Sequence, residues 1–132
     1  MIAQKLLKQA LKAKEHAYAP YSQYYVGAAI YTENGNIFSA CNVENISFPC
    51  GTCAEAGAIA AMVAAGDKKI KAILITADGK NLVYPCGACL QRIAEFSNEK
   101  TRIYLANSKE ICKTYKLAEL LPYGFKEETL CQ

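Results

Sequence analysis

A chain of 132 residues, 52% hydrophobic and 20% charged, carries enough apolar material for one buried core and too little length for two, so a single domain over 1–132 is expected. The same balance excludes a disordered, charge-rich chain. A net charge of +3, with lysines scattered apart from "DKKIK" at 67–71, leaves no nucleic-acid footprint, and that patch reads as a solvated loop before a strand.

Residues 2–16 place Ile2, Leu6, Leu7, Ala10 and Leu11 on one side of an amphipathic helix. This segment has neither the unbroken apolar stretch nor the small-residue cleavage site of a secretion signal, and no other run is apolar and long enough to span a bilayer. A soluble, cytoplasmic protein is the expectation. "APYSQY" (19–24) breaks the helix. "YVGAAIYT" (25–32) and "IFSACNV" (37–43), rich in β-branched and aromatic residues, predict antiparallel strands joined through Asn34-Gly35, a pair suited to a tight hairpin turn. "CAEAGAIAAMVAAG" (53–66) predicts an alanine-rich helix stopped at Gly66, in which Gly57 either weakens the helix or allows close packing. It is nearly apolar all round, so burial is expected.

"IKAILITA" (70–77) is a continuous apolar run of strand length, as for a strand covered on both faces. "PCGACLQRIAEFS" (85–97) opens the next helix, "TRIYLAN" (101–107) a further strand, and "YKLAELLP" (115–122) a short helix ended by Pro122. The order α-β-β-α-β-α-β-α predicts a mixed sheet sandwiched between helical layers.

Seven cysteines in a cytosolic chain read as thiols and metal ligands rather than a disulfide framework. Cys41, Cys112 and Cys131 lie outside any pair pattern and read as ordinary thiols. The rest form two Cys-x-x-Cys pairs, Cys50/Cys53 and Cys86/Cys89, a strong zinc signal. Two arrangements are open. All four thiolates close a structural tetrahedral site, or three bind and one position stays free for water. Cys86 and Cys89 stand three apart at a helix start, where both sulfurs can meet one ion and the helix N-terminus stabilises their charge. Cys53 opens the other helix, and Glu55, the only acid in that helix, is costly in an apolar setting unless paired or functional. Residues two apart point about 200° away from each other on a helix. Cys53 and Glu55 therefore converge only beyond the N-terminus, towards which first-turn side chains lean. The metal belongs in the gap between two helix starts, with Cys50 either a fourth ligand or a neighbouring thiol.

"CAE" (53–55) followed by "PCGAC" (85–89) matches the zinc nucleobase-deaminase signature. With "AYAPYSQYYVGAA" (17–29), "CNVENISF" (41–48) and "ELLPYGF" (119–125), the chain resembles the small homotetrameric cytidine deaminases over nearly its whole length. The resemblance implies a three-layer α/β/α sandwich around a mixed five-stranded sheet. It implies Cys53, Cys86 and Cys89 as ligands of one Zn²⁺ per subunit and Glu55 as the proton shuttle. It implies Asn42 and Glu44 as partners of the ribose hydroxyls, Ala54 beside Glu55 in the substrate site, and Tyr24 where the family usually has Phe. Phe125 matches an aromatic that reaches the base from a neighbouring subunit, so a homotetramer with shared active sites is implied. Without the family, Asn42 and Glu44 read as a solvated strand edge and the two aromatics as ordinary ones. Cys50 has no counterpart among the ligands. Ala56 and Leu90 stand where the family commonly has arginines that offset thiolate charge; Gln91 and Arg92 follow close by.

The implied reaction is hydrolytic deamination of cytidine and 2′-deoxycytidine, a step of pyrimidine salvage, with a small nucleoside as substrate and neither nucleic acid nor membrane as partner. A deaminase of a related cytosine compound, such as an aminoacyl-nucleoside antibiotic, ranks second, because the Asn42-x-Glu44 pair argues for a free ribose. A non-enzymatic module with a four-cysteine zinc site is the alternative of another class.

Overall fold

The computed structural model describes residues 1–130, so Cys131 lies outside the described residues. Helix α1 (Ile2–Lys14) leads into a hairpin of β1 (Val26–Thr32) and β2 (Ile37–Cys41). A 3₁₀ turn (Phe48–Cys50) precedes α2 (Ala54–Ala64); β3 (Ile70–Ala77), α3 (Gly87–Glu95), β4 (Arg102–Ala106) and β5 (Ile111–Lys116) follow. Two short helices, α4 (Leu117–Leu120) and α5 (Glu127–Leu130), end the described chain.

The five strands form one mixed sheet in the order β2-β1-β3-β4-β5. β1 pairs antiparallel with both β2 and β3, β3 and β4 are parallel, and β5 returns antiparallel on β4. Period-2 alternation splits the sheet's side chains between two cores. Ala28, Ile30, Ile73, Ile75, Ile103 and Leu105 pack with Ala58, Met62 and Ile93 of α2 and α3. Ala29, Ala72, Leu74 and Tyr104 meet Leu6, Leu7 and Ala10 of α1 on the opposite face. The apolar run 70–77 is therefore covered on both sides, as predicted, and the architecture is a three-layer α/β/α sandwich.

Two glycines set how close the layers lie. A Cβ on Gly27 would stand 2.0 Å from the Ala10 carbonyl oxygen, so α1 rests directly on the β1 backbone. A Cβ on Gly57 would stand 2.9 Å from the Ala40 Cβ; of its two predicted roles, this glycine has the one that permits close packing of α2 on β2.

Residue patterning misleads in two places. Tyr115 and Lys116, predicted as the start of a helix, end edge strand β5, with Tyr115 opposite Ile103 and Lys113 opposite Leu105. The half-polar "ICKTYK" is too short and mixed to declare a period, and its conformation comes from hydrogen bonding to β4. Helix α2 is buried only along Ala54, Glu55, Ala58, Ile59 and Met62. Ala60, Ala61 and Ala64 face outward, since a methyl group exposes too little apolar area to force burial.

Candidate metal centre and active site

The starts of α2 and α3 meet. Cys53 is the N-cap of α2 and Cys86 the N-cap of α3, both in extended backbone, with Cys89 in the first turn of α3. The Cys53 Sγ, a Glu55 carboxylate oxygen and the Cys89 Sγ all lie within 4.8 Å of one another. Cys89 and Glu55 are buried, Cys53 half-buried. Cys86 lines the same cleft but is exposed and stands outside that tight group. Soft sulfur donors at two helix N-termini, whose partial positive charge favours thiolates, fit zinc.

Cys50 is elsewhere. It sits exposed in the 3₁₀ turn, its Sγ 3.5 Å from Ser47 Oγ, and it is not among the residues lining the cleft. The two Cys-x-x-Cys segments, "PCGTC" (49–53) and "PCGAC" (85–89), thus diverge because the first turns before its helix begins whereas the second enters one directly.

Charge in the cluster is unevenly held. A hydrogen bond from Cys89, reinforced by the Ala56 N–H and the nearby Arg92 guanidinium, lowers the Cys53 thiol to about 6. The same bond, with burial and the Glu55 carboxylate, pushes the Cys89 thiol up. Burial, with the Cys53 charge adding to it, raises Glu55 above the usual carboxylate range. Arg92 Nη1 lies 3.6 Å from Cys89 Sγ and 3.9 Å from Cys53 Sγ. The sequence singles out no cation for the sulfurs; the i, i+3 spacing of Arg92 from Cys89, one turn along α3, is the signal that could have found it.

The cleft, about 320 Å³, is lined by Asn42, Glu44, Ala54 and Glu55 together with Cys53, Cys86 and Cys89. Seven residues singled out in the sequence therefore share one cavity. Asn42 is fixed as Oδ1 accepts from the Val26 N–H (2.9 Å) and Nδ2 donates to the Tyr24 carbonyl (2.8 Å). The Glu44 carboxylate accepts from the Tyr21 N–H (3.0 Å), the Ser22 N–H (3.1 Å) and the Ser22 hydroxyl, which hold it below its ordinary pKa. Between them, Val43 is latched by paired backbone bonds to Thr52.

Tyr24 and Phe125 are not among the residues lining the cleft. Tyr24 is partly exposed, and burial together with the Glu55 charge raises its phenol pKa. Phe125 is 62% exposed, its ring free of the chain's own core.

A profile of the cytidine and deoxycytidylate deaminase zinc-binding region matches residues 1–105. The chain is 42% identical over 130 residues to cytidine deaminase of Sporosarcina psychrophila, covering 98% of this chain and 96% of that protein. It is 38% identical over 130 residues to cytidine deaminase of Halalkalibacterium halodurans, with 98% of each covered. Among solved structures, cytidine deaminase from Burkholderia pseudomallei superposes with a TM-score of 0.88 at 36% identity, over 95% of this chain and all of that one.

Proposed function

The chain belongs to the cytidine and deoxycytidylate deaminase family, and from that premise we infer that it catalyses zinc-dependent hydrolytic deamination of cytidine to uridine, releasing ammonia. Carrying this reading is the meeting of Cys53, Glu55 and Cys89 within 4.8 Å where two helices begin. Its finer part extends the reaction to 2′-deoxycytidine, in pyrimidine salvage and in the cytoplasm. Among the described residues no helix is long and apolar enough to cross a membrane.

Cys53, Cys86 and Cys89, all three lining the one cleft, would hold the zinc. Bound there, zinc supplies an acidified water near neutral pH for attack on C4 of the ring. Glu55 would carry two protons in turn, the first from the attacking water to N3 and the second from the hydroxyl so added at C4 to the amine that departs as the C4–N bond breaks. Burial raises the Glu55 pKa above the usual carboxylate range, which favours its holding a proton between the two transfers. Asn42 and Glu44 receive the ribose hydroxyls. Both are held by backbone partners, which keeps their side chains from rearranging when the sugar arrives. Ala54, fully buried beside Glu55, leaves room for the base.

Self-association completes the site. Ile46, Phe48, Tyr123 and Phe125 are each more than 60% exposed, large apolar side chains that a neighbouring subunit would cover. We assign Phe125 to a neighbour's cleft and the assembly to a homotetramer, with Tyr24 flanking the nucleoside. Cytidine absorbance followed with and without a chelator is the direct test. Chelator-sensitive loss of cytidine is expected, and no loss would count against the reading.

A further inference from the structure

Zinc bound by three thiolates leaves one uncompensated negative charge in the cleft, and that charge needs a partner. Arg92 contacts both inner sulfurs, with Nη1 at 3.6 Å from Cys89 and 3.9 Å from Cys53. The two sulfurs belong to different helices, so one guanidinium spans the gap between α2 and α3. Arg92 is also uncommitted elsewhere: among the described residues the sole ion pair joins Lys14 and Asp78, and no carboxylate draws the guanidinium away. Spacing makes the contact cheap, because a residue three positions after Cys89 lies over the same face and leans towards the helix start. The neighbouring positions offer no cation: Ala56 follows Glu55, and Leu90 packs into the core.

We propose that Arg92 is a positioning residue for the metal centre, holding Cys53 and Cys89 as a thiolate pair across the helix gap and thereby retaining zinc. It acts through the sulfurs and touches neither the nucleoside nor Glu55. The proposal rests on the zinc assignment made above, and its test separates the two.

Zinc competition against a chromophoric chelator, measured on the full-length protein and its variants, reads the role directly. Arg92→Ala weakens zinc binding about tenfold, the low end for an outer partner because the side chain is exposed. Arg92→Lys keeps the charge and recovers most of the loss, whereas Arg92→Glu falls below Arg92→Ala. Melting of the metal-stripped protein distinguishes this from a structural role, since Arg92→Ala leaves that melting temperature unchanged and shrinks only the increment that zinc adds. Unaltered zinc affinity in Arg92→Ala overturns the proposal, as does an equal loss of stability in stripped and loaded protein. Wild-type protein that takes up no zinc would instead overturn the underlying assignment, visibly and before any variant is compared.

Discussion

The Gln91 carboxamide clasps the Phe125 backbone from both sides, Oε1 accepting from the Phe125 N–H at 3.0 Å and Nε2 donating to the Phe125 carbonyl at 2.9 Å. Phe125 thus presents an exposed ring on a backbone pinned to α3, two residues beyond Cys89. In the proposed assembly a mobile aromatic would lose conformational entropy on entering a neighbour's site, a cost that this pinned backbone would lower. Gln91→Ala removes two hydrogen bonds worth about 1 kcal/mol each, so amide exchange at Phe125 should rise on the order of tenfold or more. The Michaelis constant for cytidine should rise with it while zinc content holds. Unchanged exchange at Phe125 would show that the clasp contributes nothing.

Glu55→Gln should keep zinc and lose turnover by about 10²- to 10⁴-fold, the range for removal of a general acid/base. Stability gives a second readout. Burial raises the Glu55 pKa in the folded state, so its contribution is fully present below the unfolded value and is lost as pH rises through the folded one. Metal-stripped Glu55→Gln should therefore match wild type in acid and exceed it in melting temperature once pH has risen through the folded-state pKa of Glu55. A variant with full activity, assayed by uridine formation, ends the assignment.

Cys50→Ala should leave both zinc stoichiometry and melting temperature close to wild type, within the ±0.5 kcal/mol usual for an exposed substitution. Cys53→Ala should lose zinc. If metal analysis finds the two variants equally depleted, the site is a four-cysteine cage and the catalytic reading falls.

Asp67 is buried, 6% exposed, and ties the hairpin to the end of α2. Its carboxylate accepts from Asn36, Asn34 and Thr32, which hold its pKa below the usual range. Its stabilisation is present above the unfolded value, near 3.9, and disappears as pH falls through the lower folded one. Asp67→Ala should melt several degrees below wild type at neutral pH, with the gap narrowing below about pH 4. Calorimetry showing a constant gap down to pH 3 would contradict the hydrogen-bonding account.

Local chemistry carried most of the architecture. Helical spacing in 2–16, the Asn34-Gly35 turn, the apolar run 70–77 and the Gly66 stop each state their element through nearest neighbours, and each is in place. The deaminase signature likewise marked Cys53, Glu55, Cys86 and Cys89, which line one cleft where two helices begin. Edge strand β5 was silent: its six residues adopt that conformation only because β4 offers open backbone groups. Arg92 and Gln91 were equally undecided, adjacent residues about 100° apart around α3, so one reaches the sulfurs and the other Phe125. Sequence by itself determined which residues form the helices, the central strands and the metal-ligating motif, since those follow from periodicity and side-chain chemistry. Only the tertiary structure decided which thiols converge, which cation meets them and which backbone Gln91 holds, because those contacts join segments tens of residues apart whose separation is set by the packing of helices on the sheet.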